Sequence, residues 1–200
     1  MKQISLSLFF FFFVLTIQSQ NFTLDQIKSY PFPNELTGSL QSSRIAWAFD
    51  EEGLRNIYVA EGPKYVSRKL TGYMEDTGQE LSSVSISADG NWVIYIRGGD
   101  FGSNWDDELP VNPTFDPFPP KVQIWSVPFN GGDPILIDEG TGPVISPNSD
   151  KIAFIKSGQI WVSPIDGEAK PTKLFHSRGT NGSQVWSPDG EKLAFRSNRG

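Results

Sequence analysis

The sequence predicts an all-β fold, a partial β-propeller of three four-stranded blades and the start of a fourth, and two observations carry that expectation. The first is a phrase used repeatedly. Ser187-Pro188-Asp189-Gly190-Glu191-Lys192-Leu193-Ala194-Phe195 returns as Ser146-Pro147-Asn148-Ser149-Asp150-Lys151-Ile152-Ala153-Phe154 and as Ser87-Ala88-Asp89-Gly90-Asn91-Trp92-Val93-Ile94-Tyr95. A worn copy runs from Ser39 through Ser43-Arg44-Ile45-Ala46-Trp47. Repeats with a period near ~40–45 residues and several short strands each are the sequence mark of propeller blades. The second observation is composition. The 200 residues are 13% aromatic, with 6 Trp, 19 Gly and 15 Pro, which suits many short strands joined by tight turns and disfavours a helical bundle.

Taken in order, the chain opens with a targeting segment. Lys2 supplies a positive end, Leu6, Leu8, Phe9 to Phe13, Val14, Leu15 and Ile17 form an apolar core, and Gln18-Ser19-Gln20 follows. This is the layout of a secretory signal peptide over 1–20, cleaved between Gln18 and Asn21, with an uncleaved signal anchor as the alternative. It implies a periplasmic or secreted protein. With no cysteine in the chain, a lipid-bearing leader, disulfides, a thiolate nucleophile and cysteine metal sites are all excluded.

Residues 21–37 read as a lead-in. Thr23 and Gln26 have capping-box spacing and Asp25 suits the positive end of a helix, so one short helix closed by Pro31 and Pro33 is expected. Blades are then predicted at about 38–82, 83–140, 141–182 and 183–200, the last incomplete. In the third, Pro143 to Ser146 is a short inner strand and Asn148-Ser149-Asp150 turns the chain. Lys151 to Lys156 is the second strand, Ser157-Gly158 turns again into Gln159 to Ile165, and Asp166-Gly167 leads to an outer strand near Lys173. Such pairs allow the positive φ that tight hairpins require. Asn56 to Val59 and Gln123 to Val127 are the equivalent third strands, and Arg68 to Thr71 and Pro134 to Ile137 the equivalent outer strands. The second blade carries an insertion, about Gly98 to Pro120, where the third has a hairpin turn; long aperiodic loops in compact folds are functional or mobile.

The net charge of −6 lacks the basic footprint of a nucleic-acid binder and serves solubility. No G-x-S-x-G elbow, phosphate loop or metal-ligand cluster is present. The single histidine, His176, stands just past a predicted outer strand and reads as a surface residue. One constellation has chemistry to offer: Asp106, Asp107 and Glu108, with Asp100 nearby and Trp105 beside them. Carboxylates of this kind hold a cationic substrate end when desolvated, against the plainer reading of a solvated loop. Calcium is disfavoured because the EF-hand spacing is missing. Asn21-Phe22-Thr23 and Asn181-Gly182-Ser183 fit the glycosylation pattern, which matters only in a eukaryotic secretory route.

The longer strings resemble the N-terminal part of a prolyl oligopeptidase-family serine peptidase, in its secreted bacterial, dipeptidyl peptidase IV-like branch. They are Tyr30-Pro31-Phe32-Pro33, Arg44-Ile45-Ala46-Trp47, Gln79-Glu80-Leu81, Tyr95-Ile96-Arg97-Gly98-Gly99-Asp100, Gly158-Gln159-Ile160-Trp161, Arg178-Gly179-Thr180-Asn181-Gly182-Ser183 and Ser197-Asn198-Arg199-Gly200. The resemblance implies a propeller that caps an α/β-hydrolase domain and admits only short or unfolded peptides. It further implies that serine, aspartate and histidine lie in the hydrolase domain, so no catalytic residue is assigned in this chain. It implies no cofactor, and it makes Asp106, Asp107 and Glu108 candidates for holding a substrate amino terminus. A Tol-type protein-interaction propeller and the propeller of a metal-dependent amidohydrolase share the Ser-Pro-Asp-Gly repeats and remain alternatives. An arc of blades leaves exposed sheet faces, so poor solubility is expected of the chain alone.

Overall fold

The computed structural model describes residues 23–98 and 121–198. The leader, and with it Asn21, falls outside the described residues. So do Asp100, Trp105, Asp106, Asp107 and Glu108. The N-terminal unit, up to Tyr30, contains helix α1 (Leu24–Lys28). Its capping box forms as the spacing predicts: Gln26 N donates to Thr23 Oγ1 (3.1 Å) and Thr23 N to Gln26 Oε1 (3.0 Å).

The second unit, from Pro31 onward, is all β. Three four-stranded antiparallel sheets follow one another: β1 (Phe32–Gly38), β2 (Arg44–Glu51), β3 (Leu54–Glu61), β4 (Arg68–Lys69); β5 (Leu81–Ile86), β6 (Trp92–Arg97), β7 (Gln123–Pro128), β8 (Ile135–Glu139); β9 (Thr141–Ile145), β10 (Lys151–Lys156), β11 (Gln159–Pro164), β12 (Thr172–Lys173). A two-stranded sheet, β13 (Thr180–Trp186) and β14 (Leu193–Asn198), completes the described chain. The strands of each sheet pair in chain order, which is blade topology, and the fold class is the one the repeats predict.

The innermost strands begin at Phe32, Leu81, Thr141 and Thr180, earlier in three cases than the sequence-based boundaries of 38, 83 and 183. Proline is the reason at the first. Pro31 and Pro33 read as helix breakers, but Pro33 stands on an edge strand, where a missing N–H costs no ladder bond.

The repeated phrase is a turn held by its own side chains. In all four copies the N–H of the opening serine bonds the carbonyl five residues on: Ser39 to Arg44, Ser87 to Trp92, Ser146 to Lys151 and Ser187 to Lys192, at 2.8–2.9 Å. Ser87, Ser146 and Ser187 donate their hydroxyls to Asp89, Asp150 and Asp189 (2.5, 2.6 and 2.5 Å). Each of these serine oxygens accepts a backbone N–H in return, from Trp92, Lys151 and Lys192. Successive turns also bond one another: Ser39 Oγ donates to Ala88 O (2.7 Å), Asp89 N to Ser149 Oγ (3.2 Å) and Asn148 Nδ2 to Asp189 O (3.1 Å). The phrase recurs because each copy closes its own hairpin and docks on the next.

Two expectations follow from these turns. The Ser146 hydroxyl beside Asp150 holds its carboxyl below the usual range. A carboxyl lowered by folding stabilises the protein above its unfolded pKa of about 3.9, and that contribution disappears as pH falls through the lower folded value. Asp150→Asn therefore flattens the acid limb of the stability-versus-pH curve below about pH 4, read by denaturant titration at several pH values. At Gly90, φ is +78° and a Cβ would lie 2.3 Å from Ser42 Oγ and 2.9 Å from Arg44 Cδ. Gly90→Ala is expected to cost about 1–2 kcal/mol, since an L side chain is strained in the left-handed region. An unchanged denaturation midpoint would refute it.

Packing between sheets follows one rule. β6 is buried on both faces: Val93 and Tyr95 face the first sheet, with Ala46, Ala48, Ile57 and Val59, while Ile94 and Ile96 face the third, with Ile152 and Phe154. Each interface sets the aliphatic face of one sheet against a face of the next that carries a cross-strand aromatic pair. That pair is Tyr95 opposite Trp125 in the second sheet and Phe154 opposite Trp161 in the third. In the first sheet it is Trp47 opposite Tyr58.

Candidate functional site

The candidate site is the face where the innermost strands begin, because the insertion of the second blade leaves and re-enters the structure there. Its two ends stand side by side: Arg97 pairs with Gln123 in the β6–β7 ladder, and at Gly98 (φ +106°) a Cβ would lie 2.3 Å from the Lys121 carbonyl. Glycine is required for this approach. The base is braced by the segment that leads from β4 into the second sheet and by the end of β8. Gly98 N donates to Glu80 O (3.2 Å), the Arg97 guanidinium stacks on Tyr73 at 4.4 Å and donates to Thr77 Oγ1, Lys121 pairs with Glu139, and Gly140 N donates to Val122 O.

Beneath Arg97, the Tyr73 hydroxyl meets that of Tyr95 at 2.8 Å. Burial raises both phenols above the ordinary value, Tyr95 strongly, so the pair stays neutral and structural. On the first-sheet side, Arg55 reaches Asp50 (3.3 Å), Asp76 (3.3 Å) and Glu80 (3.2 Å). Three carboxylates around one guanidinium leave a local excess of negative charge. The cleft there, lined by Asn34, Asp50, Arg55, Glu80 and Leu81 among others, is an ion-pair site between the first and second sheets.

The innermost strands add a feature the sequence reading does not contain. Each has a bulge, and each bulge carries one residue in the left-handed region: Glu35 (φ 59°), Ser83 (51°), Gly142 (58°) and Ser183 (54°). Each stands four residues before the opening serine of its phrase. The bulges break the ladder on the strand lining the propeller axis, and neighbouring side chains take up backbone groups nearby. Glu35 Oε2 accepts the Val84 N–H (3.2 Å), and Gln184 Nε2 donates to the Gly142 carbonyl (2.5 Å). In the third sheet the position equivalent to Val84 is Pro143, which has no N–H to offer. Glu, Ser, Gly and Ser share no identity, so only their constant offset from the phrase could have revealed them.

The other sequence candidates resolve as structure. His176 is exposed on the segment between β12 and β13. Asn181 is only 5% exposed, with Nδ2 donating to Ser177 Oγ (2.6 Å) and Gly158 O (3.3 Å), so its glycosylation motif is closed to modification. Asn181→Ala is expected to cost about 1 kcal/mol, the net worth of the lost Nδ2 bonds, because Gly158 O keeps the Asn181 N–H and Gln159 Nε2 and Ser177 Oγ keeps Gln159 Oε1; thermal unfolding measures it. Among the described residues no group of three or more His, Asp or Glu is placed to hold a metal ion, and no helix is long and apolar enough to cross a membrane.

The architecture is that of a β-propeller, and solved structures agree. The chain is similar to prolyl endopeptidases (TM-score 0.58, 15% identity, covering 86% of this chain and 27% of that one). It is similar to the propeller domain of the Trilobed protease of Pyrococcus furiosus (0.55, 12%, 83% and 48%) and to TolB of Acinetobacter baumannii (0.53, 16%, 85% and 39%). At these identities the likeness shows the fold alone, and the chain spans about half or less of these structures. No protein-family model matches the chain, and no curated protein sequence matches it.

Proposed function

We propose that this chain is the substrate-gating, non-catalytic propeller portion of a secreted serine peptidase acting on short peptides, with dipeptidyl peptidase IV-like character. The observation that carries this reading is the coincidence of a peptidase-type propeller likeness with an acid-rich insertion braced at one rim. A rigid ring of blades over an active site excludes folded protein, and carboxylates at its rim attract and orient a cationic peptide end. In this reading Asp106, Asp107 and Glu108 hold the substrate amino terminus, the nucleophile belongs to a hydrolase domain, and the leader directs the protein to the periplasm or outside the cell.

The test is to produce the polypeptide encoded by the native gene and challenge it with a fluorophosphonate serine probe and with free and N-acetylated peptides. Probe labelling is expected, and replacing Asp106, Asp107 and Glu108 together with Ala is expected to raise KM about tenfold or more for free peptides while leaving blocked ones unchanged. No labelling would sink the peptidase assignment. Equal effects on both peptide classes would remove the acids from the amino-terminus role. The likeness to TolB favours a second reading, a protein-interaction propeller, for which the same polypeptide would be inert to the probe.

A further inference from the structure

The chain contains two Asn-Gly pairs, Asn130-Gly131 and Asn181-Gly182, and the fold sets them in opposite surroundings. An asparagine followed by glycine can close on itself. The backbone nitrogen of the glycine attacks the carboxamide carbon, and with no Cβ on the glycine nothing crowds the approach. Asn181 is denied this reaction. Its buried Nδ2 is held by Ser177 Oγ and Gly158 O, and its own N–H bonds Gly158 O at 2.8 Å. Gly182 lies opposite Arg196 in the β13–β14 ladder. Asn130 stands instead in the turn between β7 and β8, exposed, and among the described residues its side chain makes no hydrogen bond. Gly131 and Gly132 follow with φ of +111° and +134°, and a Cβ added at Gly131 would meet nothing within 4 Å. One bond restrains the Gly131 nitrogen: its N–H donates to Pro128 O at 3.0 Å and closes the turn.

We propose that Asn130 is a self-modifying position, at which the folded protein converts a carboxamide to a carboxylate without an enzyme. The Gly131 N–H gives its proton to hydroxide, and the nitrogen forms a bond to Asn130 Cγ. The Cγ–Nδ2 bond breaks, Nδ2 takes up a proton and leaves as ammonia, and a succinimide ring remains. Water then adds to either ring carbonyl and opens the ring to aspartate or to isoaspartate, so the sequence of steps needs no oxidant or reductant. The new carboxylate follows directly on Phe129, where two cations meet. Arg44 and Arg68 lie over the Phe129 ring at 4.4 and 5.0 Å, and Arg68 donates to the Phe129 carbonyl. Among the described residues Glu61 is the one carboxylate in an ion pair with either guanidinium. Conversion therefore adds a negative charge where positive charge is in excess, and the turn tolerates it. The inference is independent of the peptidase reading.

Incubating the folded protein and its urea-unfolded form side by side at mildly alkaline pH, followed by peptide mass spectrometry, tests it. Unfolded, both asparagines are expected to react, since no fold distinguishes them. Folded, Asn130 is expected to react no more than about tenfold more slowly than when unfolded, because a single exposed hydrogen bond restrains it. Asn181 is expected to slow about a hundredfold or more, since its reaction requires the buried segment to open. The product at position 130 is expected to include isoaspartate, detected by labelling with an isoaspartate methyltransferase. Asn130→Gln, whose longer side chain closes the larger ring far more slowly, is expected to abolish the label while its circular dichroism matches wild type. A folded protein whose Asn130 stays intact, or one that converts Asn181 as fast as Asn130, would overturn the proposal.

Discussion

Phe154→Ala is expected to destabilise the second unit more than any other single truncation considered for it, by about 3–5 kcal/mol. Phe154 is fully buried between the second and third sheets, among Ile94, Ile96, Ile124 and Ile137, and it lies opposite Trp161 on its own sheet. The surrounding strands are fixed by hydrogen-bonded ladders, so they cannot collapse onto the vacated volume, and the cavity term adds to the lost transfer energy. For a domain of this size the loss corresponds to a fall in Tm of roughly 6–20 °C, read by near-ultraviolet circular dichroism. A shift below about 2 °C would mean that the two sheets do not share this core.

The second large effect belongs to a polar residue. Asn56 is fully buried in β3 and ties the outer edge of the first blade to its sheet. Its Oδ1 accepts from Tyr73 N (2.8 Å) and Thr71 Oγ1 (2.9 Å), and its Nδ2 donates to Tyr73 O (3.0 Å). Thr71 Oγ1 in turn accepts the Ile57 N–H (2.9 Å). Asn56→Leu keeps the volume but strands these partners, at about 1–3 kcal/mol for each unsatisfied buried group. Asn56→Asp separates the donor from the acceptor. A carboxylate retains the two accepted bonds and turns an oxygen toward the Tyr73 carbonyl, whereas a protonated carboxyl restores a donor. Burial and that carbonyl raise the folded pKa of the introduced group above its unfolded value, so its stabilising protonated form is lost as pH rises. The deficit of Asn56→Asp relative to wild type is therefore expected to shrink toward pH 4 and grow toward pH 8, whereas the deficit of Asn56→Leu stays constant. Parallel pH profiles for the two variants would exclude this account.

The candidate site was legible in part. Asp106, Asp107 and Glu108 stand out as successive acids in an aperiodic loop, but the sequence gives no hint of how the base of that loop is braced. Gly98 looks like one glycine of a Gly-Gly pair until its distance to the Lys121 carbonyl is known. Arg55 reads as an ordinary strand residue; its three carboxylates come from β2 and from the segment leading to β5, so only folding assembles the cluster. Asn181 shows the limit of a motif, a glycosylation pattern in the sequence at a residue that the fold buries.

What the sequence determined by itself was everything set by local chemistry. The Ser–Asp turn phrase closes its own hairpin and the Thr23–Gln26 box caps its own helix, so turns, strands and blade number could be read without coordinates. Tertiary structure alone decided what depends on neighbours distant in the chain. The left-handed bulges fall on Glu35, Ser83, Gly142 and Ser183 because the innermost strands must bend where they converge on the axis, whatever the residue there. In the same way Val84 is buried and Leu36 exposed at one repeat position, because burial is conferred by the preceding sheet and not by the residue that is buried.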